Sequence, residues 1–144
     1  MAGSAIFSVS DSADGKVRTL SWACTSDAAA GTVSSPTLTN ADGSKAVKYN
    51  SVITGFIVGA RIKPDGSTAP TALYDVELRP TDDATIDYLG GLGDNCSATV
   101  TAWDIPVGEV NGMGVYIPSK ALVPYAANCG NSKLFTLEID VALD

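Results

Sequence analysis

Apolar and polar positions alternate with a period of two in several short stretches of this chain, and no stretch supports a helix longer than a turn or two. Residues 5–10 open the series with Ile6, Phe7 and Val9. Residues 11–15 (DSADG) then form a turn. Residues 16–25 place Leu20, Trp22 and Cys24 on one face, expected to be buried, against Val17, Thr19 and Ser21 on the other. Residues 46–63 are a near-continuous apolar run, which predicts a strand covered on both faces, with Gly55 and Gly59 marking bulges or close backbone approach. Residues 74–79 alternate cleanly, Tyr74, Val76 and Leu78 dry against Asp75, Glu77 and Arg79 wet. Residues 133–143 close the chain with Phe135, Leu137, Ile139 and Val141 alternating against Leu134, Thr136, Glu138 and Asp140.

Weaker signals fill the gaps. Short strands are expected at residues 37–39, 85–89 and 97–103, and at 113–117, where Pro118 stops the last. Residues 104–114 read as a loop. Residues 26–45 (SDAAAGTVSSPTLTNADGSK) are small and polar. Ser26–Asp27 could start a helix, but the alanine run is too short to hold one. The stretch therefore reads as a loop closed by the Asp42-Gly43 turn, extended and ordering against a neighbouring subunit or partner. The whole predicts one all-β domain over residues 1–144, an antiparallel sandwich or small barrel of jelly-roll or immunoglobulin-like type with about eight strands. Extended arms are expected at residues 1–5 and 26–45.

Composition narrows the partners. At 144 residues, 45% apolar and 17% charged, the chain is long enough for one core and too apolar for a disordered tail. Its apolar residues come in short runs, none near the ~20 needed for a helical membrane span, and the first residues carry no signal-peptide pattern. Net charge is −7 and the nine basic residues form no stripe, which disfavours direct nucleic-acid binding; the negative charge is expected to keep the protein soluble or to complement a basic protein surface.

Chemistry is sparse. With no histidine, serine and cysteine triads are excluded, and three cysteines without CxxC spacing make no zinc site. Cys24, Cys96 and Cys129 are expected as buried free thiols, a Cys96–Cys129 bridge being the alternative. Asp82, Asp83, Asp87 and Asp94 offer carboxylates for hydrolysis or calcium, but turn acids with nothing to bury them read as turn formers. Residues 90–93 (GGLG) match no phosphate-loop pattern and read as a tight bend. Trp22, Trp103, Tyr116 and Tyr125 read as core or contact anchors before a sugar platform. No catalytic, metal or cofactor residue is assigned, and an enzyme is the last hypothesis.

Residues 74–96 (YDVELRPTDDATIDYLGGLGDNC), followed by SATVTAW, resemble a motif common in small bacteriophage proteins: a YDITL-type strand, an acidic turn and an LGGxGxN bend. Residues 127–134 (ANCGNSKL) and 17–25 (VRTLSWACT) extend the resemblance to roughly half of the chain. Cys96 stands where that family often has a basic residue and Cys129 where it often has a small one, which makes a contact between them worth testing. The resemblance implies a virion structural protein, made in the host cytoplasm and carried on the capsid surface. In that role a decoration or cement protein binds the major capsid protein and associates with its own copies, commonly as trimers. A tail, collar or adaptor ring is the alternative, and a receptor- or glycan-binding β module is the alternative from another class.

Overall fold

A computed structural model of the chain describes residues 3–41, 53–104 and 116–142. Within them nine strands form two layers: β1 (Ser4–Asp11), β2 (Val17–Thr25), β3 (Thr37–Asn40), β4 (Ile53–Pro64), β5 (Asp75–Pro80), β6 (Ala102–Asp104), β7 (Tyr116–Lys120), β8 (Leu122–Ala127) and β9 (Leu134–Ala142). The large sheet runs β3-β1-β2-β9-β4-β6, with β7 also on β4, and the small sheet pairs β5 with β8. The fold is all-β and sandwich-like. The large sheet stays open between β3 and β6, so it is not a closed barrel.

Alternation decides which side of each strand faces in. From the large sheet Phe7, Leu20, Trp22, Ile57, Ile62, Phe135, Leu137, Ile139 and Val141 point inward and are buried. The second layer answers with Tyr74, Val76, Leu78, Leu89, Leu122 and Ala126. Each large apolar side chain buried this way stabilises by about 1.5–3 kcal/mol. Phe7 packs on Trp22 at 5.1 Å between ring centroids, and Tyr74 meets Phe135 across the layers at 5.7 Å.

Several elements differ from the sequence expectation. β4 is covered on one face only: Ile57, Ala60 and Ile62 are buried, whereas Phe56 and Val58 are exposed. Its apolar run is continuous because Phe56 and Val58 put apolar side chains on the outer face. The strand itself bulges once, between Ile57 and Gly59 against β9, while the irregularity at Ile53/Gly55 has its extra residue on β7. Gly55 has φ +145°, and a Cβ there would lie 2.7 Å from the Ala142 oxygen, so glycine is required. Residues 46–52 of the predicted strand lie outside the described residues.

Residues 85–89 form turns rather than a strand, because Asp87 draws the backbone into a bend. The strand expected at 97–103 shrinks to β6, since the Ser97 hydroxyl accepts from the Thr99 and Val100 N–H groups and folds a turn. β7 continues through Pro118 instead of stopping before it, while residues 105–115, which hold most of the expected loop and the start of this strand, lie outside the described residues. β8 was not expected. It tolerates Pro124 because, apart from the single Val33–Ala126 bridge, no strand among the described residues pairs with its far edge.

Residues 26–41 are packed on the domain rather than extended as an arm. Ser26 N donates to Lys133 O at 2.9 Å, the Ser26 hydroxyl donates to Gly130 O at 2.6 Å, and Val33 and Ala126 exchange backbone bonds of 2.9 and 2.8 Å. Asp27 Oδ1 accepts from Ala29 and Ala30 N–H at 2.8 and 2.7 Å, closing a turn at which Asp27 is buried. The polar text that read as an arm is polar because it makes these bonds. β3 then runs parallel to β1, the one parallel pair among the described strands. Of residues 1–5, Ser4 and Ala5 already belong to β1, and residues 42–45 fall outside the described set.

Candidate functional site

The stretch from Tyr74 to Cys96 folds back along β5. Cys96 N donates to Tyr74 O at 2.7 Å, Leu73 N to Cys96 O at 2.9 Å, and Val76 N to Gly93 O at 2.8 Å. Gly93 is buried, and a Cβ there would overlap the Val76 carbonyl oxygen and sit 2.8 Å from its carbon. Asp75 fastens both neighbours of this segment. Its Oδ1 accepts from Asn95 N at 2.9 Å and its Oδ2 from Asn128 Nδ2 at 3.2 Å. Both asparagines have positive φ, +55° and +62°, which that residue type tolerates. Asn95 and Asn128, 33 residues apart in the sequence, thus meet on one carboxylate.

The turn acids are occupied individually. Asp82 takes the Lys120 ammonium at 2.7 Å, and Asp83 caps its own turn through the Thr85 N–H and hydroxyl, which hold its carboxyl below the ordinary aspartate range. Asp87 is half-buried and accepts from Leu89 N at 2.9 Å, Leu78 N at 3.1 Å and Gly91 N at 3.4 Å. Burial lifts its carboxyl above the ordinary range against the pull of those donors. That corrects the expectation that nothing buries these acids. The lone pairs are nonetheless committed to backbone, and Asp94 stands exposed at the far side of the bend. Among the described residues no group of three or more potential ligands is placed to hold a metal ion.

All three cysteines are free and buried. Thr71 N donates to Cys129 O at 2.8 Å and Leu73 N to Cys96 O at 2.9 Å, so both cysteine backbones are tied to the chain before β5. Burial pushes the Cys96 thiol up to about 11 and the Cys129 thiol up to about 12.

The aromatics divide. Trp22 is fully buried, and Tyr125 lies under the Arg79 guanidinium at 3.6 Å from its ring centroid. Trp103 and Tyr116 are exposed at 74% and 47%, and both stand on the outer face of the large sheet, opposite Arg61 and Phe56 in the register. Phe56 and Tyr116 stack at 4.8 Å between centroids and make a projecting corner, with exposed Val58 beside it. The same face carries a closed charge network. Arg61 bonds Asp140 at 2.8 and 2.9 Å and Glu138 at 3.1 Å, Lys63 bonds Glu138 at 2.8 Å, and the Thr19 hydroxyl donates to Asp140 at 2.6 Å. Arg61 holds the Asp140 carboxyl below its ordinary value. At the opposite end of the face a shallow groove of about 360 Å³ is lined by Ile6, Ala23, Thr25, Lys63, Leu134 and Thr136. Sequence reasoning named Trp103 and Tyr116 but missed Phe56 and Val58, whose exposure is signalled only by the flanking bulge glycines.

Comparison with protein-family models, with curated proteins and with solved structures returned no match.

Proposed function

We propose that this chain is a bacteriophage virion structural protein, a capsid decoration or cement protein that binds the major capsid protein shell and stabilises it. The observation that carries this reading is Asp75. The stretches around Asn95 and Asn128 that resemble the phage motif are bonded to that single carboxylate. The motif therefore works as a framework. It leaves the outer face of the large sheet, with its projecting aromatics, as the broad surface for partners. The mechanism is mechanical: surface buried across joints between shell subunits raises the free energy needed to separate them. Quantitative mass spectrometry of purified particles should find hundreds of copies, and a handful per particle would refute the assignment. Particles lacking the gene should assemble but burst at lower temperature.

Trp103, at 74% exposure, favours one second reading, a glycan-binding module. Saturable binding on a host-glycan array, weakened by Trp103→Ala, would support that reading over the first. A tail or collar ring differs from both in copy number, which the same mass spectrometry measures.

A further inference from the structure

The charge of the molecule is distributed unevenly between its faces. The chain carries −7 in total, yet the charged side chains on the outer face of the large sheet among the described residues are Arg61, Lys63, Glu138 and Asp140, which sum to zero. Asp65, at the rim of the groove, adds −1 while it caps the Ser67 and Thr68 N–H groups. Each of the four on the sheet is already paired there, so covering them strands no lone charge. Around them stand Thr19, Ser21 and Ala23 of β2, Ile6 of β1, and the exposed Phe56, Val58 and Tyr116. A face this close to neutral on a chain of −7 lets two copies meet with little repulsion.

Size and shape agree with charge. Six strand positions at ~4.8 Å spacing and about eight residues at ~3.3 Å each give roughly 24 by 26 Å, or about 600 Å² in flat projection. Side-chain relief raises this toward the ~800 Å² per partner of a stable interface. The register places the projecting and hollow parts at opposite corners. Phe56 shares a row with Ala142 of β9 and Val17 of β2, at one end of the strands. Lys63, Thr136, Ala23 and Ile6 share a row at the other end. A twofold axis lying in the plane of the face exchanges those corners.

We propose that the outer face of the large sheet is a self-association surface. Two copies pack sheet against sheet about a twofold axis, and the Phe56/Tyr116 corner of each sits over the Ile6 groove of the other. Orthogonal sheet packing, in which the strands of the two copies cross near ~90°, provides the geometry, because exchanging diagonal corners turns one set of strands across the other. A twofold pair fits better than the threefold ring implied by the phage resemblance, because both complementary patches lie on one face, whereas a ring needs them on different sides of each copy. The inference stands on the face alone and holds whether or not the chain decorates a capsid.

Sedimentation equilibrium of the full chain tests it. At about 50 µM the wild type should sediment at twice the 14.7 kDa of one chain. Tyr116→Lys and Ile6→Glu should each weaken the dimer at least about tenfold, while the double variant, which sets opposite charges across the interface, recovers most of that loss. Val58→Lys serves in place of either if that variant fails to fold. Leu73→Asn removes an exposed apolar side chain from the other layer, at a positive φ that asparagine tolerates, and should change nothing. A wild type that stays monomeric overturns the proposal, as does a trimer, or a dimer indifferent to the face variants or broken by Leu73→Asn. A dimer that behaves as expected but is absent from virions would refute the capsid reading and leave this one intact.

Discussion

Replacing Gly93 with alanine should unfasten the bend from β5. Nothing about its φ requires glycine, so the whole effect is steric. The added Cβ would overlap the Val76 oxygen and lie 2.8 Å from the Val76 carbon, against ordinary contact near ~3.5–4.0 Å. The two backbones must therefore part by at least about 0.7 Å, which breaks the 2.8 Å bond from Val76 N to Gly93 O. A lost buried hydrogen bond costs about 1 kcal/mol and overpacking a further ~1–3 kcal/mol, giving about 3 kcal/mol. Against a total stability of about 5–15 kcal/mol this is a large fraction, corresponding to a melting point lower by about 6–12 °C. Gly66→Ala is the matched control, because a Cβ there meets nothing within 4 Å. Urea unfolding of both variants, read at constant slope, gives the comparison. If Gly93→Ala falls within 1 kcal/mol of Gly66→Ala, the bend retreats freely and its packing on β5 does not hold the layer in place.

Three further outcomes follow from the same contacts. Asp75→Ala releases both Asn95 and Asn128 and should lower the melting point by several degrees, about 2 kcal/mol for two charge-assisted bonds, whereas Glu77→Ala should do less. Asp140 has its folded pKa depressed by Arg61, so the folded state binds fewer protons than the unfolded one. That stability is complete above the ordinary aspartate value of 3.8 and is lost as pH falls through the lower folded value; Asp140→Asn should flatten the acid limb of a stability–pH curve. Buried thiols with pKa values near 11 and 12 are protonated at neutral pH. A thiol reagent at pH 8 should leave Cys96 and Cys129 unlabelled in the native chain and label both, with Cys24, in urea. Rapid native labelling would contradict their burial.

Where one face was dry and one wet, the fold was legible. The inward sets of β2, β5 and β9 follow directly from alternation, because a period of two leaves only one register that buries Trp22, Val76 or Leu137. β4 misled because its outer face carries Phe56 and Val58 and a bulge between Ile57 and Gly59 then shifts the phase: the resulting apolar run looks the same as one covered on both faces. β8 was hidden by Pro124, which signals a break unless the strand is known to lie at an edge. Residues 26–41 read as an arm because their anchors are serine, aspartate and backbone groups, whose partners 100 residues away leave no local trace. The aromatic corner was half legible. Tyr116 and Trp103 stood out as anchors, but their common face depends on the pairing of β6 and β7 with β4, which sequence spacing does not reveal.

The position of β9 has a consequence for how the protein is made. It sits between β2 and β4, so the large sheet stays split, with two facing open edges, until residues 134–142 have left the ribosome. Closing β2 onto β9 brings together residues more than 100 apart, which places the nucleus late and the folding rate toward the slow end for β proteins. Nascent chains stalled before Leu134 would expose two adjacent strand edges in a crowded polysome, where a neighbour's β9 fits the gap as well as their own. Translation pace through the last strands, rather than the strength of any contact in the finished domain, would then decide the yield of soluble protein.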